Sequence, residues 1–401
     1  MNKFLKALLL FMLTSVSLAA NAQNIRVGIQ QGKEITTLRI QPVLGRFQIQ
    51  CQKKVATGTQ DIYTEEVHAG EDAVLMLIPK GIILRMSSER LYEQGFDQVI
   101  ISGGELCSLE LPEQNHRMIH GRLEITHDEE KLLIVNTIPL KQYAISCAST
   151  ELISCEPEAV KAHIVAVETK IHYLKTHTKH PKDNFDVCDD KHCLKYIGSG
   201  SDRELVNLLY ESIPNHLLYY KDKLIYPRYH NTCGGKISSA KDVYGFEDEP
   251  YHIAHNDLLN NKGSENCFHS PSFHWTIETQ LSSVEDFLSM EFAGGAENIY
   301  VNCEPLKINE EGRILMLRLR GKKVQEVQGI AFLEHLQNFY GANSIKSMRY
   351  TFEPLRRTLL IRGMGEGDGV GMCLFGADGL AKKGQSYIQI LDFYYPGTTL
   401  K

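Results

Sequence analysis

Residues Pro139–Leu174 read PLKQYAISCASTELISCEPEAVKAHIVAVETKIHYL. Leu140 to Ser149 can form one helix. Pro157 suits the first turn of a second, where its missing N–H costs nothing. Val160, Ile164, Val167, Ile171 and Leu174 then recur at helical spacing and make one apolar face. Glu151 falls in the short connection between the two. A carboxylate there is free of either helix's packing and can point into a cleft.

Outward from this pair the chain changes character. Toward the N-terminus, Ile25–Ile29, Arg46–Ile49, Ala73–Ile78 and Leu132–Val135 are short strand-like runs, separated by Gly, Pro or charged turns. Gly121–Ile125 alternates as a half-buried strand should. Toward the C-terminus, Phe185–Gly198 reads as a polar loop, Ile314–Leu319 as a strand, and Gly329–Tyr340 and about Phe375–Lys383 as helices. The expected fold class is α+β: a helical core packed with β-rich segments, preceded by a small β-rich N-terminal module over 23–135.

With 401 residues, 43% of them hydrophobic and 23% charged, the chain is neither disordered, collagen-like nor polytopic, and two or three domains are expected. A net charge of −6 without a basic stripe argues against a nucleic-acid partner. Lys3 and Lys6, the apolar run Ala7–Ala20 and the small residues Ala20 and Ala22 read as a signal peptide over 1–22, cleaved before Gln23. Export to a periplasmic or cell-wall location follows, with no transmembrane anchor after cleavage. Ten cysteines (Cys51, Cys107, Cys147, Cys155, Cys188, Cys193, Cys233, Cys267, Cys303 and Cys373) permit disulfides in such a compartment, but sequence does not give their connectivity.

Four features could carry chemistry. Glycines 363, 365, 367, 369 and 371 occupy every second position. This is not a dinucleotide fingerprint, and too little chain follows for a βαβ unit. It reads as backbone that approaches another element closely, or as a structural turn. His180, Cys188, His192 and Cys193 could supply four zinc ligands; a Cys188–Cys193 disulfide or free thiols are the alternatives. His230, Cys233, Gly234 and Gly235 form either a thiol with its base or a turn that lets His230 line a cleft. Glu151, if held in an apolar pocket, would have the raised pKa that a general acid needs, although most such glutamates are solvated. No second carboxylate at a readable spacing joins it.

Read together, these pieces resemble a known family. Pro139–Tyr143, Glu151, Glu158–His163 and Ala166–Thr169 are similar to the core of the stage II sporulation protein D family, which includes the LytB amidase enhancers. Phe185–Gly198 resembles its cysteine-bearing loop, His230–Tyr251 its His-and-double-Gly block, and Gly363–Thr398 its C-terminal block. The resemblance runs from Pro139 to the end and implies a sporulation protein D-like domain over 136–401. It also implies a peptidoglycan lytic transglycosylase acting on glycan strands whose stem peptides an amidase has removed, with Glu151 as the catalytic acid and base. Zinc, in a structural role, would sit on Cys188 and Cys193 with His180 and His192; the chemistry itself requires no cofactor. His230, Gly234, Gly235, Asp368 and Gly369 are the candidate substrate contacts, and a cell-wall amidase is a candidate partner. Departures from the pattern are Glu168 in place of Arg, Asp368 in place of His, and Leu374 in place of Gln. Asp368 and Leu374 favour an alternative: a non-catalytic glycan-binding protein that enhances an amidase. A thiol hydrolase using Cys233 and His230 is a third reading.

Overall fold

The alternation at Gly121–Ile125 belongs to a strand, Arg122–His127, in which Leu123 and Ile125 are buried. It is one of many. The computed structural model describes residues 24–401 apart from 89, 112–114, 154–155, 200–202, 248, 262, 293–299, 322 and 342–344. The expected signal peptide over 1–22 and Cys155 therefore lie outside the described residues. The protein is α+β, as the pattern required, and its contacts divide it into two compact units.

The first unit comprises the chain up to Glu151 together with Leu174–Asn207. Its strands form two sheets. One runs, in order, Val187–Cys188, Asn24–Ile29, Leu132–Pro139, Arg122–His127, Gln98–Ser102, Phe47–Val55 and Gly58–Val67. The other runs Asn115–Ile119, Leu106–Leu111, Thr37–Leu44, Ala73–Ile78, Gly81–Met86 and Leu91–Phe96. Neighbouring strands show the period of two that a half-buried sheet imposes: Cys107, Leu109 and Leu111 are buried on one, Leu38 and Ile40 on the next. The chain passes from one sheet to the other at Asp97, between Leu91–Phe96 and Gln98–Ser102. The expected limit at residue 135 falls inside Leu132–Pro139, which pairs with Asn24–Ile29 and Arg122–His127 along its length.

That strand passes directly into the helix Leu140–Thr150. Ser146, Ser149 and Thr150 each donate a hydroxyl to the carbonyl four residues back, which satisfies these polar groups within the helix.

The second unit comprises Leu152–Tyr173 and Leu208–Lys401. The helix that begins at Pro157 ends at Thr176, and Val160, Ile164, Val167, Ile171 and Leu174 are all at most 1% exposed. Burying each such side chain stabilises by about 1.5–3 kcal/mol, so the apolar face anchors this helix. Within the second unit, His274–Gln280 and Thr358–Met364 pair antiparallel, with His274 opposite Met364. The described residues between them form a module with its own core. Trp275, Phe287, Ile314, Leu317, Phe332, Leu336 and Ile361 are among its buried residues. Two helices, Leu281–Phe292 and Gly329–Tyr340, belong to it, with a three-stranded meander of Tyr300–Ile308, Ile314–Gly321 and Val324–Gln328. Among the described residues, no helix is long and apolar enough to cross a membrane.

Candidate functional site

Glu151 caps the C-terminal end of Leu140–Thr150. Its backbone N–H donates to the Cys147 carbonyl at 3.2 Å, and its φ of −102° and ψ of 12° take it out of the helix. It is half-buried and is followed by half-buried Leu152 and Ile153. The helix has no basic residue in its last turn.

The cysteine loop belongs to the first unit. Val187–Cys188 adds a short parallel strand beside Val27 and Gly28. Asp189 then anchors the loop. It forms a buried ion pair with Arg117 at 2.5 Å, and accepts from the Gln30 N–H at 3.1 Å. Asp186 accepts from the Arg26 N–H at 2.9 Å, and Tyr196 donates to Asn136 at 2.9 Å. These ties bring four donors together: the ligand atoms of His180, Cys188, His192 and Cys193 all lie within 4.8 Å of one another. His180 Nε2 is 3.3 Å from Cys193 Sγ, and His192 Nδ1 is 3.6 Å from Cys188 Sγ. The other ring nitrogen of His180 meets Asp183 at 2.9 Å, a contact that fixes the tautomer with Nε2 free for a ligand. A hydrogen bond from Cys188 pulls the Cys193 thiol down to about 7, while the same bond pushes Cys188 up. Two imidazoles and two sulfurs at this spacing fit zinc. Both cysteines are free thiols, not a disulfide.

His230, Asp368 and the glycine run belong to the second unit. The run lies against the segment Arg228–Gly234, where Thr232 and Glu366 form an antiparallel bridge and Tyr229–His230 pairs with Met372–Cys373. A Cβ on Gly367, whose φ is +105°, would stand 2.8 Å from His230 Cβ; one on Gly371 would stand 2.0 Å from the Arg228 carbonyl oxygen. Close backbone approach is thus what the glycines permit. His230 Nδ1 donates to the Val370 carbonyl at 3.0 Å, which leaves Nε2 as the lone-pair nitrogen, buried and, among the described residues, without a hydrogen-bond partner. Burial lowers the pKa of this imidazole, so it is neutral. Asp368 is half-buried. It accepts from Tyr244 Oη at 2.6 Å and from the Val370 N–H at 3.0 Å.

Other expected residues sit elsewhere. Gly234, Gly235 and Gly369 are buried backbone, the last packed against the Arg313 guanidinium. Cys233 does not turn its sulfur to His230: it hydrogen-bonds Asp257 at 3.1 Å in an interior where burial pushes its thiol well up. Glu168 is buried and accepts from Tyr210 at 2.7 Å, and Leu374 is buried as the first residue of the helix Leu374–Lys382. Sequence reasoning missed Arg313. It is 2% exposed, and donates to the carbonyls of Cys233 and Lys236 at 2.9 and 3.2 Å. Nothing near it in sequence marks a buried cation.

Comparison with known proteins bears on this arrangement. Residues 128–214 match the stage II sporulation protein model, a span that holds Glu151 and the whole cysteine loop. This match supports the resemblance to the stage II sporulation protein D family. An uncharacterized protein of Brachyspira hyodysenteriae is 22% identical over 393 residues, covering 97% of this chain and 95% of its own. The amidase enhancer of Bacillus subtilis is 26% identical over 278 residues, covering 61% of this chain and 38% of that longer protein. A role related to the cell wall is the coarse reading that these similarities support.

Proposed function

We propose that this protein is exported and cleaves glycan strands of peptidoglycan as a lytic transglycosylase, with Glu151 as the single acid and base. The observation that supports the reading is the place of Glu151: it ends a helix within the matched segment and is half-buried. Protonated Glu151 gives its proton to the oxygen between N-acetylmuramic acid and N-acetylglucosamine. That bond breaks and positive charge develops at the anomeric carbon. The glutamate, now ionised, takes the proton of the muramic acid 6-hydroxyl, whose oxygen bonds the anomeric carbon and closes a 1,6-anhydro ring. An intramolecular nucleophile has a high effective molarity, so no second carboxylate is needed to activate water. His180, Cys188, His192 and Cys193 would hold zinc as a structural ion, since four protein ligands leave no open position.

Glu151→Gln should lower release of anhydro-ended products from peptide-free strands by about 100-fold or more. Unchanged release would remove Glu151 from the mechanism. A second reading, glycan binding that enhances a cell-wall amidase, is favoured by Asp368 and buried Leu374 at the positions of the family's His and Gln, and by the name of the Bacillus relative. It predicts binding of the same strands, stimulation of an amidase, and no anhydro product.

A further inference from the structure

Three cysteines and an aspartate, distant in sequence, meet in the interior of the second unit. Cys233, Asp257, Cys267 and Cys373 are each 0% exposed, and their ligand atoms all lie within 4.8 Å of one another. Cys233 Sγ stands 3.4 Å from Cys267 Sγ and 3.1 Å from Asp257 Oδ2. A disulfide would bring two sulfurs to about 2.05 Å. Sulfurs on a tetrahedral zinc ion, at about 2.3 Å from the metal, stand roughly 3.7 Å apart. We propose that these four residues form a second metal site, which takes Zn²⁺ on three thiolates and one carboxylate.

The surroundings suit ionised sulfur. The Gly235 N–H donates to Cys233 Sγ at 3.3 Å, and the N–H groups of Cys233 and Gly376 donate to Cys373 Sγ at 3.2 and 3.3 Å. Cys373 also caps the N-terminus of Leu374–Lys382, where the helix dipole favours negative charge. Asp257 is oriented from behind: its Oδ1 accepts from Tyr394 Oη at 2.7 Å and from Asn266 Nδ2 at 3.1 Å, which leaves Oδ2 toward the sulfurs. Such outer hydrogen bonds are what fix a carboxylate ligand.

Charge points the same way. Three thiolates and a carboxylate exceed a divalent ion by two negative charges. Two arginines face this turn: Arg313 donates to the Cys233 carbonyl at 2.9 Å, and Arg349 to the Gly234 carbonyl at 2.5 Å. Among the described residues Arg313 Nε and Nη1 are buried without hydrogen-bond partners, and a nearby anionic centre would stabilise that guanidinium. Without a cation the four donors oppose one another's ionisation. A divalent ion would let all four ionise together. The site is closed and therefore structural. It joins the turn after His230, the start of the last helices, and the loop that carries Asp257 and Cys267.

The proposal is independent of the glycan chemistry and of the first cluster. Its test is metal analysis of the full-length Cys188→Ser/Cys193→Ser variant, which dismantles the first cluster alone. One equivalent of zinc is expected to remain, and Co²⁺ exchanged into the protein should show intense sulfur-to-cobalt charge-transfer absorption. Cys267→Ser in the same background should abolish both signals. X-ray absorption on the zinc form, which does not require the last variant to fold, should give a shell of three sulfurs and one oxygen. A metal-free double variant, a nitrogen-containing shell, or a mapped disulfide among Cys233, Cys267 and Cys373 in the native protein would each overturn the assignment.

Discussion

The two ligand clusters are built in opposite ways. His180, Cys188, His192 and Cys193 come from one loop, which buried Asp189 and Arg117 fasten to a sheet. Cys233, Asp257, Cys267 and Cys373 come from separate segments, with Cys233 and Cys373 lying 140 residues apart. A cluster within one loop orders little chain and leaves the rest of its unit standing when it is lost. A cluster that joins distant segments closes long loops, so its loss releases much more conformational freedom. The first resembles a clasp on a finished surface, and the second a keystone.

The comparison can be broken by stability measurements. The largest effect is expected from Cys267→Ser in metal-loaded protein: more than about 4 kcal/mol by chemical denaturation, beyond most single substitutions. Cys188→Ser should cost clearly less; the reverse order would refute the contrast. Arg117→Met comes next. It strands the buried Asp189 carboxylate and should cost about 3–5 kcal/mol, most of which Asp189→Asn should return in the double variant. Its failure to lower the melting temperature would mean that the clasp is not fastened there.

A third test uses pH to probe the interior of the second unit. Burial lowers His163 from 6.5 to about 4, and lowers His230, His252 and His255 in the same direction. The unfolded chain then binds protons that the folded chain refuses. Stability is fully present above about pH 6.5 and is lost as pH falls toward 4, by about 3 kcal/mol for His163 alone. Thermal melts across that window should show a slope that His163→Gln flattens. The smallest effect is expected from Gly367→Ala. The left-handed φ of +105° and the approach to His230 should cost about 1–2 kcal/mol, read as a lower melting temperature.

Local patterns were legible in the sequence where local physics decides. Pro157 and the apolar spacing located the long helix to within its last turn, and Gly329–Tyr340 is a helix over the expected residues. Alternation revealed strands such as Arg122–His127 but not how many others share their sheets, because pairing partners lie far along the chain. The cysteine loop could be read for the same reason: its donors are neighbours. The keystone could not. Cys233 looked like part of a thiol–imidazole pair because His230 is close in sequence, yet its sulfur faces Asp257 and Cys267. Leu374 registered only as an absent glutamine, whereas its side chain is buried at the start of a helix.

The module bounded by His274 and Met364 leaves and rejoins the chain at adjacent positions on paired strands. Its length is therefore decoupled from the geometry at its roots: residues can be gained or shed at its far turns without moving either stem. Arg313 and Arg349 ride on it. An accessory piece of the protein thus carries the counter-charge for the interior of its host, and whoever trims it for convenience should expect the host to object.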